Sequence, residues 1–162
     1  MRLDFMFTLY QTCLHMPKAI LPEPAAELKE LSYRLCSLIR AELADSGFMP
    51  FSRFMEMALY EPGLGYYSAG LHKFGADGDF VTAPELGSLF AACLARQLEQ
   101  VAAVLGPYEI LEIGAGNGRM AADLLKHIEP DSSPQHYRIL ERSADLRAVQ
   151  QQTLSAAVPE WL

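Results

Sequence analysis

Residues 109–118 read Glu-Ile-Leu-Glu-Ile-Gly-Ala-Gly-Asn-Gly. The apolar run from Tyr108 to Ile113 ends in glycines at 114, 116 and 118, and a helical pattern follows at once in Met120, Ala121, Leu124, Leu125 and Ile128. This is a strand, a tight turn and a helix N-terminus, the place where an α/β fold receives a small ligand. Glycine lacks a Cβ, so such a turn can take positive φ and let a ligand lie on its backbone. Working outward, the helix over 119–128 is followed by a loop over 130–134. A second strand, 137–140, ends in Glu141, and Ser143 caps a helix to about residue 154. Strand, crossover helix and strand predict a parallel pair.

Upstream, a helix over 83–105 opens at Thr82-Ala83-Pro84-Glu85, read as a capping box with Thr82 as N-cap. Its broad apolar face is Leu86, Leu89, Phe90, Cys93, Leu94, Leu98, Val101, Val104 and Leu105, and Gly106-Pro107 stops it. Residues 61–83 carry glycines at 63, 65, 70, 75 and 78 among Tyr66, Tyr67, Phe74 and Phe80, the composition of a lid or binding loop. Tyr66 and Tyr67 fit either loop packing or a pocket wall. Before the loop, Ser52 is expected to cap a short helix over 53–60 that turns Phe54, Met57 and Ala58 inward. A longer helix over 25–43 has one apolar face, and Gly47 stops it. The expected organisation is a tail over 1–23, a helical region with a glycine-rich loop over 24–83, and the first part of an α/β domain over 84–162. Met16, before Pro17, is the expected native start.

A parallel sheet needs cover on both faces, and two strands make an incomplete one. The chain is therefore read as an N-terminal piece of a longer protein. Bare sheet edges and exposed apolar surface are expected, with self-association as one way of covering that surface.

The 162 residues, 51% hydrophobic and 20% charged, are enough for one domain with a core. A formal charge of −7 speaks against a nucleic-acid partner, whose phosphates need Lys and Arg. Cys13, Cys36 and Cys93 are an odd count at wide spacing, read as reduced, buried thiols, and no metal-ligand spacing is present. No apolar run approaches the roughly 20 residues of a membrane span. A cytoplasmic, bacterial setting is expected. His72, His127 and His136 have no partner at catalytic spacing, and Arg119, Arg142 and Arg147 read as solvated helix faces.

Two ligand classes compete for the glycine turn. A dinucleotide turn wants a third glycine at 119, where this chain has Arg119. S-adenosyl-L-methionine has no pyrophosphate; it carries an ammonium end, a sulfonium and a ribose diol. Glu112 at the end of the first strand suits the ammonium. Glu141 follows Gly118 by 23 residues, near the roughly 20 expected of an acid that accepts from ribose hydroxyls. The turn supplies Gly114, Ala115, Gly116, Asn117 and Gly118. The bland readings are that Glu112 caps a helix, Glu141 is a solvated strand end and Asn117 is only a turn former.

Ala58-Leu59-Tyr60-Glu61-Pro62, Gly65-Tyr66-Tyr67 and Gly78-Asp79-Phe80-Val81-Thr82-Ala83-Pro84-Glu85, followed by the glycine turn, resemble the MidA-type S-adenosylmethionine-dependent methyltransferases. The likeness covers about residues 20 to 155. It implies a class I, Rossmann-like methyltransferase fold preceded by an N-terminal helical region. It also implies that Glu112, the three glycines and Glu141 hold the cofactor, and that Asp79, Phe80, Thr82 and Glu85 lie near it or near the substrate. Mitochondrial members methylate an arginine of a respiratory complex I subunit, so a protein substrate is implied. Asp79 and Glu85 are the candidate acids for an arginine, while the main catalytic groups are expected after a fourth strand, outside these residues. A noncatalytic assembly module and a nicotinamide-dependent oxidoreductase are the alternatives.

Overall fold

The computed structural model describes residues 23–70, 78 and 81–161. The chain divides into two compact units, residues 1–30 and 31–162. In the described part of the first, 23–30, Lys29 pairs with Glu23.

Helix α1 spans Ala26–Ser46 and α2 spans Phe51–Tyr60. Gly47, at φ +76, ends α1 as expected. None of the residues of α1 is buried; on its apolar face Leu31, Leu35 and Ile39 are half-buried and Leu28, Leu38 and Leu43 are exposed. The start of α2 differs from the expected one. Pro50 holds the N-cap position with φ −59, and its carbonyl accepts from Arg53 N and Phe54 N, so Ser52 lies inside the first turn. Of the three residues expected to face inward, Met57 is buried, Ala58 is half-buried and Phe54 is exposed. The Arg53 guanidinium grips Glu42 with two bonds of 2.9 Å, tying α2 to the end of α1.

Residues 61–70 then fold back on α2. Tyr66 N donates to Ala58 O at 2.9 Å and Tyr67 N to Leu59 O at 2.8 Å. Gly65 sits in that fold. A Cβ there would lie 2.5 Å from the backbone nitrogens of Tyr60 and Glu61, a clash that only backbone movement could relieve.

The capping box does not form. Ala83–Leu86 is a single 3-10 turn, Thr82 makes no side-chain cap, and Gly87 at φ 143 breaks the path. Helix α3 therefore begins at Leu89 and runs to Leu105. Its buried line is also not the expected one. Ala91 and Ala95 are fully buried, whereas Leu89, Val104 and Leu105 are 70% or more exposed. Two alanines one turn apart let α3 lie close to the next helix; Leu94 and Leu98 of the expected face line the core beside them, while Leu89, Phe90, Val101, Val104 and Leu105 are exposed.

Strands β1 (Glu109–Ile113) and β2 (His136–Leu140) pair in parallel, Glu109 opposite His136 and Ile113 opposite Leu140. Helix α4 (Arg119–His127) crosses between them, and α5 (Ala144–Ala157) follows β2. Four of the five residues read as the inner stripe of α4, Ala121, Leu124, Leu125 and Ile128, are buried. The core gathers Ala91, Ala95, Leu124 and Ile128 with Leu94, Leu98, Ile110 and Tyr137 around it. A fully buried leucine such as Leu124 contributes about 1.5–3 kcal/mol over an exposed one. Alternation along β1 and β2 turns Ile110, Glu112, Tyr137 and Ile139 toward this core. Leu111, Ile113 and Leu140 point to the opposite face, where they are 60–73% exposed. The sheet is a two-stranded, one-sided start of a Rossmann-like layer.

Of the described cysteines, Cys36 is half-buried and Cys93 is exposed, so the expected burial fails at Cys93. It lies on the outward row of α3. Cys13, His72, Asp79 and Phe80 lie outside the described residues. Among the described residues, no helix is long and apolar enough to cross a membrane and no cluster of metal-ligating groups occurs.

Candidate functional site

The three glycines of the turn take φ +71, +57 and +81 at 114, 116 and 118. Gly114 N still reaches across to Leu140 O at 3.0 Å, so the ladder continues one step past β1 before the chain turns. Gly118 is required twice over. Its φ is one that L side chains rarely adopt, and a Cβ would stand 3.3 Å from the Cα of Gln150. The turn is thus pressed against α5, and the N-terminus of α4 opens directly beyond it.

Asn117 locks the turn from the side. Its Oδ1 accepts from Arg119 N at 3.0 Å, and its Nδ2 donates to Glu85 Oε1 at 2.9 Å. The acid expected to close a capping box on its own helix instead joins the 82–86 segment to the glycine turn. One Glu85 oxygen takes no hydrogen bond from the described residues. Asn117 is a positioning residue here, because both ends of its amide are engaged.

Two hollows flank the turn. One, of about 360 Å³, is lined by Thr82, Glu85, Phe90, Glu112, Asn117, Met120 and the turn backbone. The other, of about 210 Å³, is lined by Tyr60, Tyr67, Gly114, Gly116, Glu141 and Leu146. A hollow of about 420 Å³ lies at the other end of the strands, around Tyr108 and Ser132. Size alone ranks it above the others, but open α/β sheets take ligands at the carboxyl ends of their strands, where the glycine turn is.

In the first hollow Glu112 Oε2 accepts from the Tyr137 hydroxyl at 2.8 Å. Burial raises the Glu112 carboxyl above the ordinary range, and the Tyr137 hydrogen bond opposes that in part. Burial and the neighbouring Glu112 charge push the Tyr137 phenol well up, so it stays a donor at neutral pH. A half-buried carboxylate supported by one neutral donor is a place for a cation.

In the second hollow Glu141 Oε1 accepts from Ser143 N at 2.9 Å, and Gln150 Nε2 lies 3.4 Å from Glu141 Oε2 and 2.9 Å from Gly116 O. Ser143 caps α5 as expected, its Oγ accepting from Leu146 N at 3.1 Å. The same hydroxyl donates to Tyr67 O at 2.5 Å, and Asp145 accepts from Gly70 N at 3.0 Å. The 61–70 fold is therefore seated on the first turn of α5, and Tyr60 and Tyr67 wall the hollow in tilted contact, 5.6 Å between ring centroids. Arg142 is not a free helix-face charge. Its guanidinium stacks 4.7 Å above the Tyr60 ring and pairs with Glu56. Arg147 Nη1 donates to the carbonyls of Glu141 and Arg142.

The structure brings Glu85, Glu112, Gly114, Ala115, Gly116, Asn117, Gly118 and Glu141 together. Asp79 is outside the described residues. Gln150, Tyr137, Ser143 and Tyr60 also shape the site; of these only Ser143, as a cap, was visible from local pattern.

These residues fit an S-adenosyl compound. The turn offers bare backbone, and the two acids stand apart on its two sides, one suited to a cation and one to a diol.

Comparison with known proteins agrees with this fit. Residues 90–162 match a family of S-adenosyl-L-methionine-dependent methyltransferases. A Burkholderia thailandensis protein crystallised with S-adenosyl-homocysteine superposes with TM-score 0.73 and 43% identity, over 87% of this chain and 38% of that one. A second crystal structure from that organism gives TM-score 0.67 and 42% identity, over 86% and 35%. A mitochondrial protein arginine methyltransferase of Drosophila melanogaster, a homolog of NDUFAF7, is 31% identical over 108 residues, 65% of this chain and 24% of that protein. The chain thus spans about a quarter of the length of that curated relative.

Proposed function

We propose that the chain belongs to the MidA-type family of S-adenosylmethionine-dependent methyltransferases and, from that premise, that it forms the cofactor-binding part of an enzyme that methylates a protein side chain, arginine by preference. The observation that carries this reading is the pair of acids on either side of one glycine turn. When bound, the cofactor supplies a methyl group made electrophilic by its sulfonium. The chain's own part is to hold and orient. Gly114, Ala115, Gly116 and Gly118 offer backbone for close approach; Glu112, steadied by Tyr137, accepts from the ammonium; Glu141 accepts from the diol.

Glu85 lines the same hollow as Glu112 and is proposed to pair with a guanidinium brought to the site through the oxygen that takes no hydrogen bond from the described residues. Positioning is the larger need in such a transfer. Asp79 is proposed as a second substrate-side acid. A respiratory-complex subunit is the proposed substrate, by analogy with the mitochondrial family members. Residues 84–162 are proposed as the start of the methyltransferase domain, with 24–83 as the helical region before it. The outward apolar rows of α3 and of the sheet are a proposed self-association surface. A bacterial setting is proposed, supported by 42–43% identity to the Burkholderia proteins, and a cytoplasmic location is proposed with it.

Calorimetric titration of the intact native protein with S-adenosylhomocysteine and with NAD tests the cofactor. Binding of the first alone is expected; binding of NAD alone would overturn the reading.

A further inference from the structure

We infer that Gln150 is the positioning residue of the diol side: its amide holds the Glu141 carboxylate and the Gly116 carbonyl in one fixed relation. The inference rests on the assignment of Glu141 to the cofactor diol, and it names a residue that no strand-end or glycine pattern indicates. Gln150 lies in the middle of α5, a stretch of Gln-Gln-Gln in which its two neighbours at 151 and 152 are exposed. It alone of the three is buried, at 4% exposure.

Burying a polar amide is costly unless it is hydrogen-bonded. Here the –NH₂ group faces two acceptors. Gly116 O, at 2.9 Å, is a firm partner, and Glu141 Oε2, at 3.4 Å, is a longer one. Ser143 N holds the other oxygen of the same carboxylate at 2.9 Å. Glu141 is thereby fixed by one donor at each oxygen, leaving its remaining lone pairs for the hollow lined by Tyr60, Tyr67 and the turn. A Cβ on Gly118 would lie 3.3 Å from Gln150 Cα and 3.4 Å from its Cγ, so the stem of the glutamine packs directly on the glycine turn. Two neighbouring hydroxyls need a carboxylate presented in a single orientation, and Gln150 supplies that constraint. Of the charged groups on the elements that meet it, Glu141 lies at the β2 end, Arg147 and Asp145 on α5, and Arg119, beside Gly118, pairs with Asp123 on α4. Arg147 is engaged with backbone carbonyls and Asp145 with Gly70 N.

Substitution Gln150→Glu is the informative test, because it keeps the shape and replaces the donor with an acidic acceptor. At pH 8 two carboxylates would then face each other. S-adenosylhomocysteine binding is expected to weaken about ten- to a hundredfold, the scale of a lost hydrogen bond to a charged group. Two acids in contact raise the pKa of one of them. As pH falls toward 5.5 the new carboxyl gains a proton and becomes a donor again, so the deficit relative to wild type should shrink. A deficit that is the same at both pH values marks a merely structural lesion and overturns the inference, as does binding within twofold of wild type at pH 8.

The second arm measures preference for S-adenosylhomocysteine over its 2′-deoxyribose analogue. Wild type should prefer the diol, and Gln150→Glu at pH 8 should lose most of that preference; an unchanged preference overturns the inference. Wild type that binds the ribose and 2′-deoxy forms equally would remove the diol assignment itself, and wild type that binds no S-adenosyl compound would remove the cofactor reading. Either result is distinct from failure at Gln150 alone.

Discussion

The two acids beside the glycine turn are alike in origin and unlike in setting. Each closes a parallel strand, Glu112 at the end of β1 and Glu141 just past β2. Glu112 points toward the core, accepts among the described residues from the neutral Tyr137 phenol alone, and has its carboxyl pushed up by burial. Glu141 is held from the cap and the middle of α5, with Ser143 N and Gln150 on separate oxygens. A carboxylate short of donors gains most from a cation, whereas one already oriented gains from further neutral donors. The contrast explains how one turn can receive a molecule with an ammonium at one end and a diol at the other.

The largest effect should come from removing what the two sides share. Gly118→Val puts a β-branched residue at φ +81 and against Gln150. It should abolish measurable S-adenosylhomocysteine binding in calorimetry and lower stability by about 2 kcal/mol or more. Retained binding would mean that the turn is not the platform.

The next effect separates the two acids by stability. Burial raises the Glu112 carboxyl, so the folded state binds its proton more tightly than the unfolded chain does. The penalty grows as pH rises through the window between the unfolded and the raised folded value, and it is complete above that window. Glu112→Gln should therefore raise the melting temperature at pH 8 and lose that advantage toward pH 4. The gain should be under about 1 kcal/mol once solvent screening at a half-buried site is allowed for. Equal melting curves at pH 8 would show that Glu112 carries no burial penalty and would erase the contrast.

Local pattern made much of this architecture legible. The apolar run from Tyr108 to Ile113 and the glycine spacing located β1 and the turn, and an acid at the end of each strand located both carboxylates. Ser143 was legible as a cap because capping needs only neighbours in sequence. What was not legible depends on distant partners. Thr82 to Glu85 has the spacing of a capping box, but Asn117, brought in by the turn, is the partner Glu85 takes. The α3 face was read from its large residues, while Ala91 and Ala95 make the contact because close helix packing favours small ones. Gln150 and Tyr137 looked like an ordinary helix residue and an ordinary strand residue, and only the crossover brings them to the acids. The incompleteness of the sheet followed from counting strands, and its bare face shows in Leu111, Ile113 and Leu140.

The central claim is the division of labour between Glu112 and Glu141. Calorimetry of the intact protein and of Glu112→Gln and Glu141→Gln, each with S-adenosylhomocysteine and with 5′-methylthioadenosine, tests it directly. The second ligand keeps the ribose and lacks the amino acid end. Glu141→Gln should weaken both ligands about tenfold, and Glu112→Gln should weaken S-adenosylhomocysteine alone by a similar factor. Equal losses of both ligands in both variants, or no loss in either, would contradict it.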